Sequence, residues 1–147
     1  MRTLSQILAA KPAEIFTVRP SDSVLVALQI MATCNVGALP VVSNQRLVGI
    51  MSERDYARKV ALQGLTSSVT EVRDIMSSSV VTAQLGQTVM DCMDMMTTRY
   101  IRHLPVLERG ELVGMLSIGD LVKAVIEDQQ FNIQQLESYI SPLSIPH

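Results

Sequence analysis

Apolar and polar positions switch between two periods along this chain, and the same succession occurs twice. In the first pass Ile15-Phe16-Thr17-Val18 is a short extended run closed by Arg19-Pro20, and Ser21-Asp22-Ser23 supplies helix-start chemistry. Val24, Ala27, Leu28, Met31 and Ala32 then recur at helical spacing to about Asn35. Ala38-Leu39-Pro40-Val41-Val42 reads as an apolar strand with its proline near the start, Ser43 to Arg46 as a turn, and Leu47 to Met51 as the returning hairpin partner. Ser52 opens a second helix carrying Tyr56, Ala57, Val60 and Ala61. The pattern predicts β-α-β-β-α.

The second pass runs from a strand at Val80-Val81-Thr82 through a helix over Val89 to Arg99, a hairpin from Leu104 to Leu116 turning at Glu108 to Glu111, and a helix from Ile118 to about Gln130. Leu47 to Asp55 answers to Leu112 to Asp120 at a distance of 65 residues. The same offset pairs Thr17 with Thr82, Met31 with Met96 and Val60 with Val125, with no gap required. Repeated units of this kind bury their apolar faces against each other. The expected fold class is therefore α/β (α+β), two β-α-β-β-α repeats related by a pseudo-two-fold axis. The expected organisation is an N-terminal segment with a short helix (1–14), repeat 1 (15–62), a linker (63–79), repeat 2 (80–128), and a C-terminal helix and tail (129–147), with function at the seam.

Composition narrows the function classes. Halves of roughly 60 residues are marginal alone, so the two should share one core. Apolar residues make up 48% and charged residues 18%, with a mean hydropathy of +0.28, which predicts apolar surface buried between chains in a homodimer. Leu28, Met31, Met93, Met96, Leu121 and Val125 are candidate contacts. A net charge of −2 leaves no electrostatic footprint for nucleic acid, and 3% aromatic residues without tryptophan give no base-stacking platform. No apolar run approaches the roughly 18 residues of a membrane span, and the first residues lack a secretory apolar region. The expected location is cytoplasmic. Cys34 and Cys92 occupy non-equivalent positions without zinc-ligand spacing, so they read as buried thiols and no metal is expected. Phosphate-loop, dinucleotide-loop, zincin and nucleophile-elbow sequences are all missing, and Ser52, His103 and Asp120 do not make a triad because Ser52 and Asp120 lie in different copies. The expectation is a protein that is not an enzyme.

The chemistry-bearing pattern is Gly-x-x-Ser-x-x-Asp at a strand-to-helix turn, present at Ser52/Asp55 and at Ser117/Asp120. Each pair makes a capping box. A carboxylate at this place can also accept both hydroxyls of a ribose, and the helix N-terminus favours an anion. Basic groups differ between copies. Arg99, Arg102 and His103 stand opposite Cys34, Gly37 and Ala38 at the 65-residue offset, while Arg54 and Lys59 stand opposite Gly119 and Ala124. Arginine makes forked contacts to phosphate, so two clefts of unequal preference are expected.

The order of strand, helix, Leu39-Pro40-Val41, hairpin and Leu47-Val48-Gly49-x-x-Ser52-x-x-Asp55, repeated at Leu104-Pro105-Val106 and Leu112 to Asp120, resembles a tandem pair of cystathionine-β-synthase (CBS) domains, the Bateman module, over Ile15 to Glu127. Ser52 to Lys59 and Arg99 to Leu107 are similar to small stand-alone CBS-pair proteins of bacteria and plant organelles. The resemblance implies a regulatory, signal-transducing module that binds an adenine nucleotide (AMP, ADP, ATP or NAD/NADH) between the copies. S-adenosylmethionine is slightly disfavoured by the basic groups. It implies that Ser52 and Asp55 hold one ribose and Ser117 and Asp120 the other. Met76, Val81 and Thr82 would complete the first pocket, and Lys11, Ile15, Phe16 and Thr17 the second. Adenine would lie near Val36, Gly37, Ala38 and Ile101, and phosphate near Arg54, Arg99, Arg102 and His103, with Pro105 and Gly119 completing the set. It also implies a disc-shaped homodimer of four CBS units, no catalytic cofactor, and a downstream protein target that the sequence does not name. The resemblance extends to inosine-monophosphate dehydrogenase, because that enzyme carries a CBS pair, but its chemistry needs a barrel of about 250 residues. The alternative is a structural interaction module with vestigial clefts.

Overall fold

The computed structural model describes residues 2–144, and residue 1 and the tail 145–147 lie outside the described residues. In chain order the elements are α1 (Leu4–Ala9), α2 (Val24–Cys34), β1 (Ala38–Ser43), β2 (Arg46–Ser52), α3 (Glu53–Tyr56) continued by a π-wound turn (Ala57–Ala61), α4 (Val72–Ile75), β3 (Ala83–Gln84), α5 (Val89–Arg99), β4 (His103–Glu108), β5 (Glu111–Ser117) and α6 (Ile118–Ser144). The fold is a mixed α/β pair of repeats.

The repeat offset carries through to hydrogen-bond register. β1 and β2 pair antiparallel from Ala38↔Ser52 to Ser43↔Arg46, and β4 and β5 from His103↔Ser117 to Glu108↔Glu111, each with an irregularity at the same step, Val41/Val42 and Val106/Leu107. Each hairpin turns on two consecutive residues of positive φ, Asn44 and Gln45 at 50° and 66°, Arg109 and Gly110 at 52° and 78°. That pair of conformations gives the turn a twist matching its strands. α2 and α5 start under hydroxyl caps, Ser23 and Thr88, and both end on a left-handed residue, Asn35 and Tyr100.

The leading strands are shorter than the alternation suggests. The run from Ile15 reaches the first sheet only through a parallel bridge, Val18↔Val41, and in the second copy pairing begins at Ala83 rather than at Val80 to Thr82. Phe16 and Thr17 are exposed because this stretch crosses the seam instead of lying on a sheet. α6 is also longer than expected. Nothing between Leu121 and Tyr139 breaks a helix, so it continues past Gln130 through the apolar residues Phe131, Ile133 and Leu136.

The expected single shared core is instead two apolar cores, because each sheet buries its own helix pair, and each core is completed by a helix from outside its own copy. Leu4 and Ile7 of α1 pack with Val89, Cys92, Leu104, Leu116 and Leu121 of the second copy. Val72 and Ile75 of α4, within the 63–79 segment, pack with Val24, Met31, Leu39, Met51 and Val60 of the first. Backbone bonds dock the two helices alike: Leu4 N–H donates to Gln87 O at 3.1 Å and Val72 N–H to Asp22 O at 2.8 Å. From these docking points the chain takes 14 residues to reach Val18 but 11 to reach Ala83. The gapless offset therefore fails in this one place: the leader of the first copy is three residues longer. Of the candidate dimer contacts, Met31, Met96 and Leu121 are core residues, while the exposed apolar positions on the helices include Leu25, Val26, Met90, Val122 and Ile126 and, further along α6, Phe131, Ile133, Leu136, Tyr139 and Ile140.

Candidate functional site

Both Ser-x-x-Asp turns form the capping box expected of them. Ser52 Oγ accepts from Asp55 N–H at 3.2 Å, and Asp55 Oδ2 accepts from Ser52 N–H at 2.9 Å and from its hydroxyl at 3.1 Å. Ser117 Oγ and Asp120 N–H lie 3.2 Å apart, and Ser117 N–H donates to Asp120 Oδ2 at 2.8 Å. A further bond fixes each helix start to the residue preceding its hairpin, Glu53 N–H to Gly37 O at 3.0 Å and Ile118 N–H to Arg102 O at 2.8 Å. The caps thus orient two carboxylates at the seam.

On the Asp120 side the seam opens into a cavity of about 480 Å³. The leader from Lys11 to Phe16 forms one wall, Cys34 to Pro40 of the first copy another, and Val113 to Ser117 with His103 and Asp120 the third. Lys11 Nζ donates to Asp120 Oδ2 and to Met115 O, both at 2.8 Å. Burial works to raise the Asp120 pKa, but the Lys11 ammonium and the Ser117 N–H and hydroxyl outweigh it and hold the carboxyl below its ordinary value. Asp120 is therefore ionised at neutral pH. His103 lies across the seam, where a Cβ on Gly37 would come within 3.2 Å of its Nε2. Burial lowers its pKa, partly offset by Glu53, so its ring is mostly neutral at pH 7.

The Asp55 side is built differently. Ile50 and Ser77 exchange backbone bonds in both directions, N–H to O at 3.0 and 2.9 Å. Lys59 Nζ reaches Asp55 Oδ1 at 3.1 Å and Ile75 O at 2.8 Å. Arg54 donates across the seam to Tyr100 O at 3.2 Å. Met76 lies over Gly49 as Leu8 lies over Gly114, at 2.6 and 2.7 Å from where a Cβ would stand, so both glycines give room to a leader side chain.

Of the residues singled out in the sequence, Lys11, Ile15, Phe16, Val36, Gly37, Ala38, His103, Ser117 and Asp120 come together around the Asp120 cavity. Thr17 lines an adjoining shallow groove that shares Ile15, Phe16 and Cys34 with it. Ser52, Arg54, Asp55 and Met76 gather on the other side. Val81 and Thr82 are half-buried ahead of β3, and Arg99 and Arg102 are exposed. Ile101 packs on the second core, Pro105 is buried opposite Met115, and Gly119 is exposed in the first turn of α6. Sequence reasoning missed Leu8, Cys34, Asn35 and Met115. Asn35 and Met115 had a signal, each adjoining a nominated or repeated element, whereas Leu8 needed the crossing of α1 to the second copy.

Among the described residues no cluster of three or more His, Cys, Asp or Glu is disposed to hold a metal ion, and no helix is long and apolar enough to cross a membrane.

The family model for the CBS domain matches the chain twice, at residues 7–62 and 72–127. The second match takes in the whole of α4, and the first begins within α1, at Ile7. The mitochondrial CBS domain-containing protein CBSX3 of Arabidopsis thaliana is 42% identical over 124 residues, 81% of this chain and 60% of that protein, so the chain spans less than two thirds of that relative. A solved structure of a protein with CBS domains from Burkholderia ambifaria is 48% identical with a TM-score of 0.84, covering 87% of this chain and 96% of that one. The CBS domain pair of protein MJ0100, solved with 5′-methylthioadenosine and S-adenosyl-L-methionine, is 25% identical with a TM-score of 0.76 over 87% of this chain and 98% of that one.

Proposed function

The chain belongs to the CBS domain family, and from that premise we propose that it is a regulatory module binding an adenosyl ligand at the seam between its two repeats. The observation that carries this reading is an ionised carboxylate, Asp120, at the head of α6 and facing a cavity of about 480 Å³. That volume suits a nucleotide-sized ligand, and the mixture of aliphatic walls with a few convergent polar groups suits a nucleoside. Asp120 takes the ribose hydroxyls, the aliphatic groups of Ile15, Val36, Ala38 and Val113 take the base, and Lys11 is the cation within reach of an anionic tail. AMP, ADP, ATP and NAD or NADH fit this scheme. Because Arg99 and Arg102 are exposed and Glu14 joins the wall, S-adenosylmethionine loses its earlier disadvantage. The methylthioadenosine and S-adenosylmethionine bound by MJ0100 support the class of ligand. Signalling follows if the ligand favours one conformation over another, since equal affinity for both would shift nothing. The exposed Leu25, Val26, Met90, Val122 and Ile126 support a homodimer formed through the helices, which light scattering tests directly.

Thermal unfolding against AMP, ADP, ATP, NAD, NADH and S-adenosylmethionine tests the ligand. A ligand present at 100 times its Kd adds about 2.7 kcal/mol. A selective rise in Tm that Asp120→Ala abolishes is the expected result. No shift with any of the six, once carried-over nucleotide is excluded by mass spectrometry, would leave an interaction module with vestigial clefts.

A further inference from the structure

We propose that this chain holds one ligand, at Asp120, and that the backbone pair between Ser77 and Ile50 closes the equivalent cleft at Asp55. The proposal rests on reading the seam as an adenosyl site. It turns on what happens to one residue of each hairpin. Ile50 stands opposite Pro40, and Met115 opposite Pro105. These are non-hydrogen-bonded pairs of the ladder: the Pro40 carbonyl points away from β2 and accepts from Val18 N–H at 3.1 Å, so Ile50 turns its own N–H and C=O outward, and the repeat places Met115 alike. Ile50 pairs outward, on the side where the leader crosses the seam.

Beside Ile50 the leader fills that edge. α4 ends at Ile75, Met76 is extended at φ −62° and ψ 153°, and Ser77 falls onto Ile50 in a two-way backbone pair. Beside Met115 it does not. α1 starts at the same docking point as α4 but continues to Ala9, and the extra length carries the chain past Met115. The Met115 carbonyl is met by the Lys11 ammonium, a group on a flexible stem that can move aside. A backbone pair can yield only if the segment itself leaves the sheet edge. The facing walls differ in the same sense. Cys34-Asn35-Val36-Gly37-Ala38 borders the Asp120 cavity, whereas its counterpart is the bulkier Arg99-Tyr100-Ile101-Arg102-His103. Asp55 is also engaged by Lys59 from its own helix, a position filled by Ala124 in the second copy.

Calorimetric titration of the full chain with AMP, ATP and NAD in turn tests this. The expected result is one binding event per chain, weakened at least tenfold by Asp120→Ala. Ser77→Pro removes the N–H that Ile50 accepts, and is expected to admit a second event. Two events in the unaltered chain, one event that survives Asp120→Ala, or a folded Ser77→Pro chain that still binds once would overturn the proposal. Amide hydrogen exchange gives a readout that needs no variant. Saturation with AMP should slow exchange at Ala13 to Phe16 and leave Ser77 and Ile50 as they were, and slowing at Ser77 on binding would overturn the closure. If none of the three nucleotides binds, and ADP, NADH and S-adenosylmethionine titrated likewise do not, the adenosyl reading and the proposal fall together. Binding at Asp55 overturns the proposal and leaves the adenosyl reading standing.

Discussion

Replacing Lys11 by methionine tests the electrostatics of the cavity without a ligand. The substitution keeps an unbranched apolar stem and removes the ammonium, and with it two bonds of 2.8 Å to Asp120 Oδ2 and Met115 O. A hydrogen bond to a charged group contributes about 1.5–3 kcal/mol when buried, and a surface ion pair about 0–1 kcal/mol. The side chains of Lys11 and Asp120 are 35% and 25% exposed, between these limits, so the expected loss is about 1–2 kcal/mol. In a domain of this size that is a fall in Tm of about 3–6 °C. The sign with pH follows from Asp120. Its folded pKa lies below its ordinary value of 3.8, so its contribution is fully present above that value and is lost as pH falls through the lowered one. Urea unfolding of Lys11→Met, Asp120→Asn and the double variant at neutral pH measures the coupling. The cost of Lys11→Met should largely vanish in the Asp120→Asn background and should shrink in strong acid. An equal cost in both backgrounds and at both pH values would refute an ionic origin.

Two other outcomes follow from the cores and the thiols. Burial, with the nearby Asp91 charge, pushes the Cys92 thiol up to about 11, while Cys34 lies half-buried on the cavity wall. A maleimide at neutral pH should label Cys34 well before Cys92, and a bound nucleotide should slow labelling of Cys34 alone, both read by mass spectrometry. Leu116 is fully buried between β4, α6 and α1, so Leu116→Ala should cost about 2–5 kcal/mol in denaturant unfolding, and a loss near zero would contradict the packing described.

Much of this was legible because local rules repeat with the sequence. The hairpins, their register and the Ser-x-x-Asp caps depend on neighbours close in the chain, so the match from Leu47–Asp55 to Leu112–Asp120 fixed both copies at once. The leaders obey no such rule. Whether Leu4 and Ile7 pack on the first copy or the second depends on how the two units dock, and their short apolar stretch gives no direction. The three extra residues were hidden for a related reason, since an offset matched from Thr17 onward says nothing about length upstream of it. The unequal clefts were partly readable, as the bulk of Arg99 to His103 against Cys34 to Ala38 is a sequence fact. The pairing of Ser77 with Ile50 was not readable, because it depends on where α4 stops.

The exchange of α1 and α4 between the cores makes each half of the molecule incomplete by itself. A half cut at the loop from Gly64 to Thr70 would keep a helix its own sheet does not use and lose the one that covers its core. Two such halves satisfy each other, so the chain behaves as a dimer whose partners have been joined end to end. Fraying of one core uncovers the other through the shared crossings, which makes a half-folded intermediate costly and couples the two halves into one cooperative unit. A ligand bound at the seam would therefore act on both cores, through the α1 and α4 segments that join them.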